Sequence, residues 1–471
     1  MYLARGGEET YCPRFTYHGF RYAEISGLPD PLAAEDVCAL VLRSDVASRG
    51  SFDSGEPLIN DIQRICRWTE SNNLHSVPTD CPQRDERLGW LNDLTVRAEE
   101  AMFNFEMDSF YRKFVTDMLD AQGKKTGAIT DTVPYVRYGS QPADPVCSSF
   151  LLLPWMLYQQ YGDKQILARR YSGMKRYAQF MMRRCGRWGG PYAKPVHIPA
   201  KDKKYLVNRG QSYGEWAEPQ DIYTMRFMDF AGPHPEVSTA YTAYVMALMA
   251  QIAEILGDTE DISRFAEYRD GCRTAYQAMI KTEQFTLDTD RQARLVRPLA
   301  LHLLDEAQTA YAKKRLLQAL KNYGWRLGTG FLSTPLILDV LAETDLEAAY
   351  RLLENEQMPG WLFMPKSGAT TIWESWEGDQ AAGSGVASLD HYSKGAVCRW
   401  LFDTMCGIRV SGENCFSIAP RPGGHFTRAK AAYNSVYGRV ESGWEKTENG
   451  WNYTVTIPVN CTAVLLSLIH I

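Results

Sequence analysis

The chain has 471 residues, enough for about three domains of roughly 150 residues, and can bury a large core without disulfides or metal ions. Lys and Arg total 51 against 56 Asp and Glu, a net charge of −5, so we expect no concentrated basic surface, no nucleic-acid partner and no membrane partner. The 45% hydrophobic and 12% aromatic content excludes a disordered chain and suggests clefts lined by Trp and Tyr.

The 11 cysteines show no regular spacing, and the sequence has no C-x-x-C pair or Cys/His cluster. We therefore expect free thiols rather than a disulfide scaffold, and no metal site. The first ten residues, MYLARGGEET, lack the apolar segment of a secretion signal. This favours a cytoplasmic protein, with secretion left open if the natural chain begins upstream, and the oligomeric state is left open too.

Residues 1–48 have the composition of the end of a β domain. Two strand-like runs, 15–25 and 37–46, are separated by the turn-rich segment GLPDP. A pair of strands is not stable alone. We therefore expect these strands to pack on the next domain or to complete a larger β domain that begins upstream.

Residues 49–404 form the second zone, in which the apolar period changes from 2 to about 3.6, the helical repeat. Ser54 is expected to cap a helix that carries Leu58, Ile62, Ile65 and Trp68 on one face. Further helices are predicted at 93–121, 148–161, 164–184, 237–256, 259–281, 303–322, 334–343, 345–356 and 390–404. Helix pairs repeated over this length favour a closed ring of helical hairpins over a four-helix bundle. The long links between them are then expected to meet at one mouth.

Residues 405–471 return to a strand pattern. Asn449-Gly450 between 442–446 and 451–457 is typical of a β-hairpin. The apolar end, 463–471, has no turn or polar cap, so we expect a β-sandwich that is truncated.

The densest run of unusual residues is TDCPQRDERLGWLND at 79–93, between two predicted helices. It holds four carboxylates, two arginines and a Trp. A solvated, charge-balanced loop is the alternative interpretation. Pro, Gly and Trp are poor choices for such a loop, however, and Arg84 and Arg87 are suited to hold carboxylates by charge-assisted hydrogen bonds.

A second run, GATTIWESWEG at 368–378, places Glu374 between two tryptophans. We expect this carboxylate to be partly desolvated, which raises its pKa and makes it a better proton acceptor. A surface Glu beside core tryptophans is an equally good interpretation of this run alone.

Two separated carboxylate sites with aromatic surfaces match the needs of glycosidic bond hydrolysis. One acid protonates the leaving oxygen, and a second carboxylate activates water from the opposite face. Trp and Tyr supply flat surfaces for sugar C–H groups, while Asp and Arg bind hydroxyls. We therefore expect a carbohydrate substrate and no cofactor, because acid, base and water suffice.

Three motifs resemble those of bacterial α-L-rhamnosidases of glycoside hydrolase family 78. Residues 80–93, DCPQRDERLGWxxD, are similar to the family's defining motif, 369–376 to its second and 390–397 to its third. The resemblance covers most of the chain, from about Phe15 onward. It implies a mainly α fold: an (α/α)6 six-hairpin toroid at 49–404, with a partial N-terminal β domain and a truncated C-terminal β-sandwich.

The resemblance implies that Glu86 is the general acid and Glu374 the general base of an inverting hydrolysis that releases terminal α-L-rhamnose from glycosides or polysaccharides. An inverting pair is expected about 6.5 to 9.5 Å apart, whereas roughly 5 Å favours a covalent intermediate. Glu86 then needs a raised pKa, which Asp80, Asp85 or Asp93 would supply through like-charge repulsion.

The other implied site residues bind the sugar. Asp80 and Asp93 are expected to bind sugar hydroxyls, and His391 is expected to reach another hydroxyl. Arg84 is expected to hold the loop. The pocket is expected to be lined by Trp90, Trp216 and Trp373. A satisfied histidine at a helix start is the alternative for His391, and simple packing is the alternative for Trp216.

The sequence departs from the family pattern before residue 151. Many relatives carry a Trp at the position of Val146 and an Asp at the position of Ser148. The glycone is therefore left open, and an inverting toroid hydrolase for a different neutral or deoxy sugar is an alternative. A carbohydrate-binding relative without turnover is the other, although binding alone has no need of both Glu86 and Glu374.

Overall fold

The computed structural model describes residues 2–28, 30–137, 139, 148–189, 192–380 and 387–466. Its α-helices, in chain order, are α1 (Pro57–Asn72), α2 (Leu91–Asn104), α3 (Asp108–Ala121), α4 (Ser149–Tyr161), α5 (Lys164–Met182), α6 (Ala200–Lys203), α7 (Phe227–Ala231), α8 (Pro235–Leu256), α9 (Thr259–Met279), α10 (Gln292–Ala300), α11 (Glu306–Asn322), α12 (Thr334–Ala342), α13 (Leu346–Leu353), α14 (Phe363–Lys366) and α15 (Val397–Trp400). The strands are β1 (Gly50–Ser54), β2 (Leu74–His75), β3 (Val77–Pro78), β4 (Trp188–Gly189), β5 (Asn208–Arg209), β6 (Ile408–Gly412), β7 (Cys415–Ile418), β8 (Arg428–Ser435), β9 (Gly438–Thr447), β10 (Gly450–Thr456) and β11 (Thr462–Leu465).

Twelve of these helices form a double ring. The inner ring is α2, α4, α8, α10, α12 and α15: α2 packs on α4, α4 on α8, α10 on α12, α12 on α15, and α15 on α2. An ion pair between Arg297 of α10 and Glu236 of α8 links the remaining two neighbours. The outer helices α1, α3, α5, α9, α11 and α13 pack against this ring. The predicted ring of helical hairpins is therefore confirmed.

Two of the hairpins are joined by the same dipeptide, Gly-Asp. Gly162 ends α4 and Gly257 ends α8, both with positive φ, the left-handed conformation that glycine adopts without strain. Asp163 and Asp258 follow directly, and each side chain accepts a backbone N–H from the first turn of the next helix. The reversal thus needs only two residues, which keeps each outer helix close to its inner partner.

Helix α1 begins later than predicted, and one residue of its predicted apolar face is exposed. Ile62 and Ile65 are buried, as expected, but Trp68 is 44% exposed. Ser54 does not cap the helix, because it is the last residue of β1, and Glu56 stands at the N-cap.

Most other predicted helices are confirmed with ends within a few residues. The predicted helix at 93–121 is two helices, because the chain turns between Asn104 and Asp108. The one at 390–404 starts as a 3-10 turn (Tyr392–Ala396) and ends in a π-helical turn (Leu401–Met405). Helix α10 was not predicted, since Pro298 near its end interrupts the sequence pattern.

Helix α8 is long and apolar enough to cross a membrane by length and composition alone, with a mean hydropathy of 1.3 in its most apolar window. In that window 67% of the residues are buried inside the protein. It contacts α4, α5 and α9, which is the position of a core helix.

The C-terminal strands form a four-stranded sheet, β1-β8-β9-β10, and a three-stranded sheet, β11-β7-β6. Strand β1 precedes the toroid and pairs antiparallel with β8, so this sheet holds both ends of the toroid. The predicted hairpin is confirmed, with Thr447 opposite Gly450 and a two-residue loop, Glu448-Asn449.

The predicted strands at 15–25 and 37–46 are wrong for the part of the chain that the structure describes. Between residues 2 and 46 it contains one short 3-10 turn, Ala34–Asp36, and no strand. Apolar side chains such as Phe15 and Leu40 are exposed here. A strand needs a neighbour that accepts its backbone hydrogen bonds, and this segment has few such contacts, for example Ser44 N–H to Leu74 O.

Candidate active site

The long links meet at one mouth of the ring and surround a cavity of about 890 Å³. The link between α1 and α2, the link before α8, the link before α12 and the link before α15 all contribute to its wall. Eight of the nine predicted site residues line it: Asp80, Arg84, Glu86, Trp90, Asp93, Trp216, Glu374 and His391. Side chains separated by about 300 residues thus face one cavity.

Glu86 is held by its own motif. The indole Nε1 of Trp90 donates to Oε1 of Glu86 at 2.9 Å, and Nη2 of Arg84 lies 2.9 Å from Oε2. The loop is closed because Asp80 accepts the Leu88 N–H at 2.8 Å. The spacing of this motif therefore aims a carboxylate and an indole into the cavity together.

Gly89 lies too close to a neighbouring segment to carry a side chain. A Cβ there would clash with the carbonyl oxygen of Val133. Backbone hydrogen bonds of Gly89 with Val133 and of Leu91 with Asp131 hold the motif against this neighbouring segment.

Glu374 reaches the same cavity from a distant segment of the chain. Its Oε1 accepts the Trp216 indole N–H at 3.1 Å, and its Oε2 accepts the Ser388 N–H at 2.8 Å and a guanidinium N–H from Arg84 at 3.2 Å. Burial alone raises the pKa of Glu374, but the positive charges of His391 and Arg84 and these N–H donors outweigh it and hold the pKa below its ordinary value of 4.5. The predicted raised pKa is therefore wrong, and Glu374 is ionised at neutral pH.

Arg84 bridges the two glutamates. Because its Nη2 lies 2.9 Å from Oε2 of Glu86 and 3.2 Å from Oε2 of Glu374, those oxygens are separated by at most the sum of these distances, about 6 Å. This limit lies below the roughly 6.5 Å expected for an inverting pair, so the predicted separation is not confirmed for these two oxygens. The anomeric form of the first product distinguishes inversion from retention. Arg84 was expected only to hold its loop, and its contact with Glu374 shows that it joins two distant segments.

Asp80 and Asp93 differ in their electrostatics. Burial, followed by the charge of Glu86, raises the pKa of Asp80 from 3.8 to about 6. Asp93 instead forms an ion pair with Nε2 of His391 at 3.2 Å. Asp85, the third candidate for tuning the acid, is fully exposed and paired with Arg87. Of the three, only Asp80 is placed to repel a charge on Glu86.

His391 is buried and faces the cavity. Burial alone lowers its pKa, but the hydrogen bond to Asp93 and the charges of Glu374 and Asp80 outweigh it and raise the pKa above 6.5. Its Nδ1 has no hydrogen-bond partner among the described residues. A second ring nitrogen is therefore placed to meet a substrate hydroxyl, which fits the functional interpretation better than a fully satisfied core histidine.

We expect Asp80→Asn to stabilise the protein at alkaline pH. The folded state holds the Asp80 proton more tightly than the unfolded state, so protonation of Asp80 stabilises the wild-type protein. The stabilisation by this proton is complete below pH 3.8 and is lost as pH rises to about 6. Above that pH the native protein carries a buried charge that Asn removes. Urea unfolding should show a gain of about 3 kcal/mol at pH 8 that shrinks towards pH 4. Asp85→Asn, at an exposed site, should show none, and an equal gain at both pH values would contradict the prediction.

Trp373, the ninth predicted residue, is not brought to the cavity. It is buried, and its ring packs on Phe363 with centroids 6.2 Å apart. The chain is extended here, since Ile372 O and Glu374 N both bond to the segment 388–391. Successive side chains of an extended chain point to opposite sides, so Trp373 faces away when Glu374 faces the cavity.

Of the two positions at which the sequence departs from the family pattern, Val146 lies outside the described residues. Ser148 is buried directly before α4, and its carbonyl accepts N–H groups from the first turn of that helix.

Two contributors to the site were missed. Tyr213 lies between two of the predicted aromatic residues, 5.4 Å from Trp90 and 6.2 Å from Trp216 between ring centroids, edge to face in both cases. Lys394 is fully buried, and its Nζ donates to the main-chain oxygens of Glu374 and Ala217. It thus ties together the two segments that carry Glu374 and Trp216. The spacing of Tyr213 three residues before Trp216 was a signal in the sequence, whereas nothing local marked Lys394.

Asp80, Cys81 and Glu86 place three possible metal-ligand atoms within 4.8 Å of one another. Burial and the charge of Asp80 raise the pKa of the Cys81 thiol, which donates its hydrogen to Asp80. Arg84 already supplies a positive charge to both carboxylates. This chemistry suits a hydrogen-bonded cluster better than a cation site.

Comparison with known proteins identifies the family. The model of the bacterial alpha-L-rhamnosidase 6 hairpin glycosidase domain matches residues 47–405, that of the C-terminal domain 411–468, and that of the concanavalin-like domain 1–43. Alpha-L-rhamnosidases from Streptomyces avermitilis and Formosa agariphila are each 32% identical over 470 residues, 98% of this chain, and over 43% and 48% of their own lengths. The chain thus spans about half the length of the curated relatives it matches.

Solved structures give the same result. The alpha-L-rhamnosidase from Dictyoglumus thermophilum superposes with a TM-score of 0.85 at 35% identity, covering 97% of this chain and 49% of that one. The Streptomyces avermitilis enzyme complexed with L-rhamnose superposes with a TM-score of 0.84 at 32% identity, covering 98% and 42%. Because the six-hairpin family model spans most of the chain and the fold agrees throughout, the chain belongs to the bacterial α-L-rhamnosidase family.

Proposed function

We propose that this protein hydrolyses glycosides or polysaccharides to release terminal α-L-rhamnose, with inversion, using Glu86 as general acid and Glu374 as general base. The observation that carries the proposal is the pairing of these carboxylates across one aromatic cavity, each held by an indole N–H and both held by Arg84. Glu374, with its lowered pKa, is suited to accept a proton from water. Glu86 is the second carboxylate, which protonates the leaving oxygen in this proposal.

The remaining cavity residues have sugar-binding roles in this proposal. Asp80, Asp93 and His391 supply polar groups for hydroxyls, while Trp90 and Trp216 supply flat apolar surfaces. The rhamnose-bound structure of the Streptomyces avermitilis relative, which shares this fold, supports a rhamnose-sized glycone.

A panel of aryl glycosides tests the proposal. We expect release of the aryl alcohol from the α-L-rhamnoside, and NMR of the first-formed sugar should show the β anomer, since inversion changes the anomeric configuration. A first-formed α anomer would contradict inversion. Release from another neutral or deoxy sugar alone would favour the hydrolase of different specificity, and saturable binding without release would favour the binding protein.

The pH profile should carry an alkaline limb near pH 6. Burial, followed by the charge of Glu86, raises the pKa of Asp80 to about 6, so Asp80 is neutral below that pH and charged above it. If the neutral form is the active one, kcat/KM should fall about tenfold per pH unit above pH 6. Asp80→Asn removes this titrating group, so the variant should lose the limb near pH 6. An unchanged limb in the variant would assign the limb to another group.

A further inference from the structure

Tyr213 lies in the wall of the catalytic cavity, between the two tryptophans that hold the candidate acid and base. Its ring centroid is 5.4 Å from that of Trp90, at an interplanar angle of 90°. It is 6.2 Å from that of Trp216, at an angle of 79°. Both are edge-to-face contacts, which are favourable for aromatic pairs at about 4.5 to 7 Å. One tyrosine ring therefore packs against both indoles.

Each of these indoles holds one of the two glutamates. Nε1 of Trp90 donates to Glu86 at 2.9 Å, and Nε1 of Trp216 donates to Glu374 at 3.1 Å. An indole N–H lies in the plane of its ring, so a tilt of the ring turns the donor away from the carboxylate. Hydrogen bonds weaken steeply when they bend in this way. A residue that fixes both ring planes therefore also fixes the orientation of both carboxylates.

The hydroxyl of Tyr213 connects it to the segment that supports the acid motif. It donates to Oδ2 of Asp131 at 2.8 Å, and Asp131 is fully buried. A hydrogen bond to a buried acceptor is electrostatically stronger than one in water. The main-chain oxygen of Asp131 accepts the N–H of Leu91, the residue after Trp90, at 2.9 Å. Tyr213 is therefore linked to Trp90 twice, by its ring and through its hydroxyl.

The backbone of Tyr213 is anchored on both sides. The N–H of Ser212 donates to the carbonyl oxygen of Gly232 at 3.0 Å. Glu215, two residues after Tyr213, is buried and paired with Arg297 of α10. The main chain therefore brings the tyrosine ring to one fixed place in the cavity wall.

We infer that Tyr213 is a positioning residue of the hydrolysis, which orients both glutamates through the two indoles. This inference rests on the proposed function, because it acts through the roles of Glu86 and Glu374 in it. Loss of the Tyr213 ring then slows the chemical step. It changes the affinity for the sugar little, because other residues of the cavity bind the sugar hydroxyls.

Tyr213→Leu tests the inference, because it removes both the ring and the hydroxyl. On a rhamnoside with a poor leaving group we expect kcat to fall about 100-fold, since a misplacement of about 1 Å costs on this order. KM should stay within about threefold of the wild-type value. On a dinitrophenyl rhamnoside, whose leaving oxygen needs no proton, only the share carried by Glu374 remains, and the loss should be about tenfold.

Two further variants separate positioning from binding and from folding. Tyr213→Phe keeps the ring and loses only the hydrogen bond to Asp131, so kcat should fall about threefold with KM unchanged. Tyr268→Leu is the matched control, because Tyr268 makes an edge-to-face contact with Tyr205 at 5.5 Å and is not among the described residues that line the catalytic cavity. It should keep kcat within about twofold. Far-UV circular dichroism and urea unfolding should show that both leucine variants are folded.

Unchanged kcat in a folded Tyr213→Leu variant would overturn the inference. A raised KM with unchanged kcat, in either Tyr213 variant, would also overturn it, because Tyr213 would then bind the sugar itself. Equal losses on the two substrates would leave only the link through Trp216, and full recovery on the dinitrophenyl rhamnoside would leave only the link through Trp90. Either result would contradict the action through both indoles.

The test does not depend on one variant or on the proposed function alone. If Tyr213→Leu does not fold, Tyr213→Phe decides, and a normal kcat in it would overturn the inference. A wild-type protein that cleaves no α-L-rhamnoside would refute the proposed function and the inference with it. An active wild-type protein with a fully active Tyr213→Leu variant would refute the inference alone.

Discussion

Glu86→Gln and Glu374→Gln should each lower kcat on a natural-type rhamnoside by about a thousandfold or more, with folding preserved. General acid and general base catalysis each contribute about 10²- to 10⁴-fold, and Gln keeps the size of the side chain while losing its proton chemistry. Each amide still accepts the indole hydrogen bond that holds the glutamate, from Trp90 or Trp216. Steady-state kinetics with matched far-UV circular dichroism measures both effects.

The leaving group separates the two roles. A dinitrophenyl rhamnoside needs no protonation of its leaving oxygen, so Glu86→Gln should recover most of its activity on it, whereas Glu374→Gln should not. Glu377→Gln is the matched control, because Glu377 also lines the cavity, and we expect less than about tenfold loss there. Equal recovery in both glutamate variants would contradict the assigned roles.

The first motif was predictable because its geometry is local. Asp80, Glu86, Trp90 and Asp93 lie on one short loop and one helical turn, and contacts within the motif place them. The ring of hairpins was predictable for a similar reason. Both the helical period and the Gly-Asp turns between helices depend on residues that are close together in the sequence. The composition of the two runs suggested a carboxylate pair, but the choice of Glu86 and Glu374 came from the resemblance, because nothing in either segment encodes their separation.

The errors concern properties that distant segments decide. We predicted a raised pKa for Glu374 because two tryptophans flank it in the sequence. The charges of His391 and Arg84, which belong to other motifs, lower the pKa instead. Trp373 was assigned by adjacency, although an extended chain turns it away from its neighbour. The overall charge count also missed the basic segment 164–209, because acidic residues elsewhere in the chain outweigh its thirteen Lys and Arg.

The indole that holds Glu374 depends in turn on a buried ionic frame. Glu215, next to Trp216, accepts N–H groups from Gly330 at 3.1 Å and Ser333 at 2.8 Å and is paired with Arg297 of α10. The Trp216 carbonyl accepts the Phe331 N–H at 2.8 Å. The same interactions that close the ring between α8 and α10 therefore also place Trp216 against the candidate base.

Arg297→Met should destabilise the protein by about 4 kcal/mol and also reduce turnover. The guanidinium neutralises Glu215 and Glu236, and its removal leaves the buried Glu215 without a cation and Glu236 with only Arg294. Loss of one partner of a buried ion pair typically costs about 3 to 5 kcal/mol. Urea unfolding measures the loss. Arg269→Met removes an exposed pair with Asp270 and should cost less than about 0.5 kcal/mol, and Arg297→Met/Glu215→Gln should recover part of the loss. A single variant no less stable than the Arg269→Met control would show that the frame is dispensable. Normal turnover in a destabilised Arg297→Met would show instead that Trp216 keeps its place against Glu374 without it.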